Sequence, residues 1–105
     1  MSKESNLQSK IASYLRRKGC YVIVTTAGPG VPNGCPDVIA LIDGGGWIAL
    51  EVKKEYPYRK DGKAKAGAFR PLQLETVKKL NGMYFSRVVW SENWSEIKLE
   101  LEGII

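Results

Sequence analysis

The sequence predicts an α/β domain built on a mixed β-sheet, with elements in the order α-β-β-β-α-β-α. Three observations predict it. Leu7, Ile11, Tyr14 and Leu15 recur at helical spacing and are followed by Gly19, a stop signal. Two runs of strand-forming residues, 37–42 and 47–53, flank Asp43-Gly44-Gly45-Gly46 and read as a hairpin. The chain has 105 residues, enough for one modest core, and neither a repeat nor a composition break divides it, so residues 1–105 are read as a single domain.

The elements follow in order. Residues 3–18 form the first helix. Residues 20–26, Cys-Tyr-Val-Ile-Val-Thr-Thr, are rich in β-branched side chains and form a strand. Residues 27–36 hold three glycines and three prolines and exclude regular structure. The hairpin comes next. Residues 54–70 are polar, basic and glycine-containing, and read as a long loop with scope for mobility before a ligand binds. Pro71 suits the first turn of a helix that runs to about Leu80 and closes at Asn81-Gly82. Residues 83–90 form a fourth strand. Asn93 is placed to cap a last helix carrying Trp94, Ile97 and Leu101 on one face.

Composition removes whole classes of chemistry. The chain has no histidine, which excludes Ser-His and Cys-His nucleophile pairs, an imidazole base and His-ligated metal. Cys20 and Cys35 are too few and too far apart for zinc and read as reduced thiols in or near the core. Catalysis, if present, rests on carboxylates, lysines, hydroxyls, backbone groups and hard metal ions. The longest apolar run, residues 38–42, is far too short to span a bilayer, and the start is polar rather than signal-like. An intracellular, cytoplasmic protein with no membrane partner is expected.

Charge is unevenly placed. The net charge is +5, yet residues 92–105 hold four acids and one base, so residues 1–91 carry +8. Bases cluster at Arg16-Arg17-Lys18 and at Lys53, Lys54, Arg59, Lys60, Lys63, Lys65 and Arg70. Such a footprint suits a nucleic-acid backbone, whose neutralised phosphates release counterions. The plainer alternative is a solubilising surface. Charge suits DNA and RNA equally, and no base-reading motif separates them.

The third strand carries the chemistry. Its alternation puts Trp47, Ala49, Glu51 and Lys53 on one face and Ile48, Leu50 and Val52 on the other. Glu51 and Lys53 thus share a face roughly 7 Å apart along the strand. Asp37 opens the neighbouring strand after Gly34-Cys35-Pro36. Two carboxylates on adjacent strands repel unless a cation lies between them, and Mg²⁺ takes one or two carboxylates plus waters and phosphate oxygens. A lysine beside such an ion could position or deprotonate an attacking water and screen charge on the phosphate. Register tests the arrangement. Asp37 reaches the face of Glu51 only if the hairpin loop has an odd length, most simply the three residues Asp43, Gly44 and Gly45, whereas a four-residue turn puts the acids on opposite faces.

Two polar residues point the way the core points. Glu4 falls at the centre of the stripe made by Leu7, Ile11 and Leu15, with Gln8 alongside; it either reaches the site or stays wet in the first turn, where it favours the helix dipole. Gln73 shares a face with Val77 and Leu80, and its amide either bonds the site or only caps the helix. A lone Glu-x-Lys is weak, since about one chain in three of this length contains one by average usage. Its pairing with Pro-Asp across a hairpin is much less common.

With these residues in place, Gly34-Cys35-Pro36-Asp37, Glu51-Val52-Lys53 and Gln73, preceded by a helical Glu4 with Gln8, the chain resembles the virus-type replication-repair nuclease (VRR-NUC) family of the PD-(D/E)xK superfamily over residues 4–91. The resemblance implies a restriction-endonuclease-like αβββαβ core with a central mixed sheet flanked by helices. It implies that Asp37 and Glu51 bind Mg²⁺ or Mn²⁺ with the Val52 carbonyl as a further ligand, that Lys53 orients the hydrolytic water, and that Glu4 and Gln73 complete the site. It also implies a homodimeric endonuclease that cuts four-way or other branched DNA in viral or mobile-element replication and repair, within the host cytoplasm if viral. The stretch 54–70 is long for that family. Tyr56, Tyr58 and Phe69 interleave with its bases as in many nucleic-acid contacts, against the alternative of a solvated loop. Two other readings stand beside this one: a non-catalytic nucleic-acid-binding module with a structural ion-pair cluster, and a sequence-specific restriction-type nuclease of the same superfamily.

Overall fold

The structure, a computed structural model, describes residues 3–25 and 29–105. Helix α1 (Lys3–Arg17) buries Leu7, Ile11, Ala12 and Leu15, and ends where Gly19 adopts φ 89°. Strand β1 (Tyr21–Val24) is shorter than the 20–26 run predicted; Cys20 is buried before it, and Thr26 lies outside the described residues. Strands β2 (Val38–Leu41) and β3 (Trp47–Val52) form the expected hairpin.

Helix α2 (Gln73–Met83) differs from prediction at both ends. It starts after Pro71, because Leu72 takes a left-handed φ of 70° and breaks the turn. It also runs through Asn81-Gly82. Gly82 does not adopt the left-handed stop conformation, and the Asn81 side chain instead accepts the Ser86 N–H at 3.3 Å. Closure falls to Tyr84, whose N–H donates to Leu80 O at 2.9 Å and whose ring packs on Trp47. Strand β4 (Ser86–Val89) and helix α3 (Trp94–Glu102) follow, separated by a 3₁₀ turn, Ser91–Asn93. Asn93 does not cap α3 with its side chain, as predicted from sequence. It accepts the Trp90 N–H at 2.7 Å and donates to Val88 O at 3.0 Å, tying the turn to the end of β4.

The four strands form one sheet in the order β1-β2-β3-β4, the first two pairings antiparallel and β3–β4 parallel. Alternation assigns the faces. Val38, Ala40, Ile48, Leu50, Val52 and Val89 meet Leu7, Ile11 and Leu15 of α1 and Trp94, Ile97 and Leu101 of α3 in one core. Full burial of a Leu or Ile side chain contributes about 1.5–3 kcal/mol, so this face holds the sheet to its helices. On the opposite face α2 packs on β3 and β4. This is the mixed, helix-flanked sheet of a restriction-endonuclease-like α/β fold. Among the described residues, no helix is long and apolar enough to cross a membrane.

The segment 54–70 has neither a helix nor a named strand, as expected, but it is built rather than featureless. Tyr58 bridges Ala64, the Arg59 N–H donates to Lys63 O at 2.7 Å, and the Lys65 N–H donates to Pro57 O at 2.8 Å. Arg59 and Asp61 pair across the tip at 2.9 Å. Below the tip, Tyr56 and Tyr58 stack edgewise on Trp90, with centroids 5.2 and 6.1 Å away, and Phe69 lies 6.0 Å from Tyr58. Edge-to-face and tilted ring contacts supply the anchor that the polar composition concealed.

Candidate active site

The hairpin register delivers Asp37. Ile42 N–H donates to Gly46 O at 3.0 Å and Gly45 N–H to Ile42 O at 3.0 Å, so the loop proper is Asp43, Gly44 and Gly45. Val38 lies opposite Leu50, and one step further Asp37 lies opposite Glu51 on the same face. The odd-length condition read from the sequence is met. Thr25 holds Asp37 from the other side: its N–H donates to Asp37 O at 2.9 Å and its hydroxyl to Pro36 O at 2.6 Å.

Gly34 explains the kinked approach. Its φ is 81°, and a β-carbon there would lie 2.7 Å from the Leu72 carbonyl carbon and oxygen. The loop before Asp37 therefore touches the entry to α2. Gly34→Ala combines a left-handed cost of about 1–2 kcal/mol with this backbone clash. It is expected to lower the unfolding midpoint by at least 4 °C, at about 4–8 °C per kcal/mol for a domain of this size, measured by thermal denaturation.

Glu51 is the centre of a buried polar group. Its Oε2 accepts from Gln73 Nε2 at 3.3 Å and lies 3.7 Å from Lys53 Nζ. Lys53 Nζ donates to Gln73 Oε1 at 2.9 Å and sits 4.9 Å from the Phe69 ring centroid. Gln73 Oε1 also accepts the Arg70 N–H at 2.8 Å. The two sequence readings of Gln73 thus hold together: it is buried against the acid and the amine, and it closes the turn before α2. Asp37 Oδ2 accepts the Val52 N–H at 2.8 Å, so the acid from β2 is fixed to the strand that carries Glu51.

The electrostatics are those of two buried carboxylates crowded together. Burial, proton sharing with Asp37 and the Asp37 charge raise the Glu51 pKa from 4.5 to about 9, only partly offset by Lys53 and Arg70. Glu51 Oε1 is buried without a donor partner. Asp37 can answer it only if one of the two acids carries a proton. An orphaned carboxylate oxygen beside a second carboxylate fits a hard divalent ion, which accepts such oxygens at close range. No group of three or more His, Cys, Asp or Glu side chains is placed to hold a metal among the described residues, so backbone oxygen, water or phosphate would complete the coordination.

Two openings flank this group. One, of about 250 Å³, is lined by Thr25, Gly34, Cys35, Asp37, Arg70 and Gln73 among others. The second, of about 560 Å³, is lined by Glu4, Lys53, Lys54, Tyr56, Lys65 and Arg70 among others. Arg70 stands in both. Glu4 is therefore half-buried in the cleft wall beside Lys53, in the first turn of α1, rather than in a cluster with Asp37 and Glu51. Arg59, Lys60 and Lys63 lie exposed on the tip of the 54–70 segment. The sequence reading missed Trp90 and Thr25. Each lies just beyond a strand end, where periodicity gives no signal. Cys20 and Cys35 are unpaired thiols, as expected.

A sequence model of the archaeal Holliday junction resolvase (Hjc) family matches residues 2–100. No curated protein matches the chain. The family match sustains the broader likeness, to the PD-(D/E)xK nucleases, but the branch is Hjc rather than the virus-type replication-repair nucleases that the motifs resemble. Matched over almost its whole length, the chain belongs to the archaeal Holliday junction resolvase (Hjc) family, nucleases of the PD-(D/E)xK superfamily.

Proposed function

We propose that this chain is a Mg²⁺- or Mn²⁺-dependent endonuclease that cuts four-way DNA junctions, acting inside the cell as a homodimer of single-domain subunits. One observation carries the reading beyond family membership: the buried, donor-less oxygen of Glu51 beside Asp37, in a group whose Lys53 lines a cleft with Lys54, Lys65 and Arg70. Asp37 and Glu51 would hold the ion, with the Val52 carbonyl as a further oxygen ligand. The ion supplies Lewis-acid polarisation of the scissile phosphate and a more acidic water.

The chain's own groups do the rest. Lys53, held by Gln73 and Glu51, presents its ammonium to the water and to charge building on the phosphate. Gln73 fixes both the amine and the acid from one buried amide. Glu4 lines the same cleft as Lys53 and would orient what binds there. Lys54, Arg59, Lys60, Lys63, Lys65 and Arg70, all exposed, neutralise backbone phosphates.

The test is direct. Four-way junction, flap, duplex and single-stranded DNA are incubated with the protein in Mg²⁺, Mn²⁺ or EDTA. Paired symmetric cuts in the junction, lost in EDTA, are expected. Discrete fragments from linear duplex would instead indicate a restriction-type enzyme, and equal cutting by Glu51→Ala would leave only a binding module.

Two further results are expected. Gln73→Ala frees Lys53 and removes a donor from Glu51, and should lower single-turnover cleavage about 10–100-fold, the range for partners that orient a metal site. Replacing Arg59, Lys60 and Lys63 by alanine should weaken junction binding and reduce the slope of log affinity against log salt by about 0.9 for each lost phosphate contact, measured by fluorescence anisotropy.

A further inference from the structure

The three aromatic side chains of the 54–70 segment are not equivalent. Tyr58 and Phe69 are half-buried and committed to ring contacts with each other, and Tyr58 also to Trp90. Tyr56 is 46% exposed. Two steeply inclined contacts hold it, one to Trp90 with the ring planes 66° apart and one to Tyr58 with the planes 69° apart. Packing of this kind fixes the tilt of a ring without covering both of its faces. A ring already held by two others has little rotamer freedom left to lose, so a ligand that lands on it meets a small ordering cost.

The sheet sets where this ring stands. Strands β3 and β4 run parallel with Val52 opposite Val89, and the Lys53 N–H donates to Val89 O at 2.8 Å, which places Trp90 next to Lys53 at the strand ends. Trp90 thus anchors Tyr56 beside the amine. A second route leads to the same place: Lys53 Nζ lies 4.9 Å from the Phe69 centroid, and Phe69 reaches Tyr56 through Tyr58 alone. Tyr56 and Lys53 line one cleft, of about 560 Å³, in which Lys53, Lys54, Lys65 and Arg70 outnumber the two acids, Glu4 and Glu55. The Lys65 ammonium is 5.9 Å from the Tyr56 centroid, at the outer limit for a cation over a ring, so it is free to move to a phosphate when another group takes that face.

We infer that Tyr56 is a stacking platform for one nucleobase next to the phosphate that is cut, an inference that rests on the proposed function for its polymer, DNA. Four cations and one bare ring in a cleft match a chain that alternates phosphates with flat bases, the combination that single-strand-binding grooves use. Paired bases hide their faces within the stack, so the ring takes only a base that has left it. A branch point interrupts stacking and yields such a base readily, whereas continuous duplex must first be unstacked. The platform therefore supplies a preference for branched DNA that phosphate contacts, alike in every DNA, do not. It is indifferent to which base it receives, since each has a π-face.

The experiment measures junction binding by fluorescence anisotropy in EDTA, where metal-dependent cutting is suppressed, with an abasic nucleotide placed in turn at each position around the crossover. Wild type should lose about 5- to 150-fold in affinity at a position beside the cut, the range for one stacked base. Tyr56→Ala should show a loss of that size on the intact junction and no further loss at that abasic site. Tyr56→Phe, which keeps the ring, should match wild type. Where trypsin shows that Tyr56→Ala loosens the 54–70 segment, Tyr56→Leu, which keeps apolar volume without an aromatic face, is read in its place. A scan that is flat in wild type, or that falls equally in the variant lacking the ring, overturns the inference even if junctions are cut normally in Mn²⁺. A base-dependent loss confined to proteins that keep the ring, with no cutting in Mn²⁺, supports it and sinks the proposed function instead.

Discussion

Glu51→Gln and Lys53→Ala should each slow single-turnover junction cleavage by at least about 10²–10³-fold, the loss associated with removing one preorganised group that meets developing charge. Junction affinity should change no more than about threefold, because the bases proposed to contact phosphates lie elsewhere, exposed on the 54–70 segment. Asp37→Asn should behave likewise. The two acids nevertheless fail for different reasons. Glu51 is buried at the centre of the hydrogen-bonded group, while Asp37 also accepts the Val52 N–H and so helps to hold the hairpin end. Calorimetric titration with Mn²⁺ separates them from the lysine: both acid variants should lose ion binding, and Lys53→Ala should retain it. Retained cleavage by Glu51→Gln would remove the carboxylate pair from the chemistry altogether.

The second large effect concerns the metal-free protein. Glu51 titrates near 9 when folded, against 4.5 for the ordinary group. Below pH 4.5 both folded and unfolded chains hold the proton, so the group contributes no difference. Between these values the folded chain binds a proton that the unfolded chain has released, and stability falls as pH rises. Above about 9 the loss is complete and constant. Each pKa unit corresponds to about 1.4 kcal/mol, so a loss on the order of a few kcal/mol is expected between pH 5 and 9. Chemical denaturation in EDTA across that range should show the decline, and Glu51→Gln should flatten it and be the more stable protein at pH 8. Mn²⁺ should restore wild type most strongly at the alkaline end, where no proton has to be displaced. A flat wild-type profile would contradict the buried, uncompensated state of this carboxylate.

Much of this architecture was legible in the residues because the hairpin encodes its own register. Strict alternation in residues 47–53, a glycine-rich loop and the position of Asp37 leave few ways to pair the strands, and only an odd loop joins the acids. Helices α1 and α3 were readable from apolar spacing. The limits of α2 were not. Asn81-Gly82 has the composition of a stop, but Tyr84 gains packing on Trp47 when the helix continues, and tertiary contact overrode local preference. Leu72 is the sharper case, since nothing in its identity announces a left-handed backbone. The internal order of the 54–70 loop was not legible, because its aromatic residues find Trp90, a partner more than twenty positions away in the chain. For the candidate site, periodicity foretold that Glu51 and Lys53 share a strand face, whereas Gln73 joins them because α2 packs on that face, which the residues left open. The position of Glu4, in the cleft wall and apart from the acids, depended on how α1 lies across the sheet, which periodicity does not specify.

The single parallel pairing, β3 with β4, has a consequence for how the molecule comes together. The hairpin that joins the two acids closes over a three-residue loop, a local event on a timescale of about 1–10 μs. Bringing β4 alongside requires the intervening chain to the end of α2 to be gathered first, a non-local search with a higher entropic barrier. The carboxylates should therefore meet early, while water still surrounds them. Their desolvation comes only when Gln73 arrives with the late-docking half, so the energetic cost of the site falls at the final step of assembly.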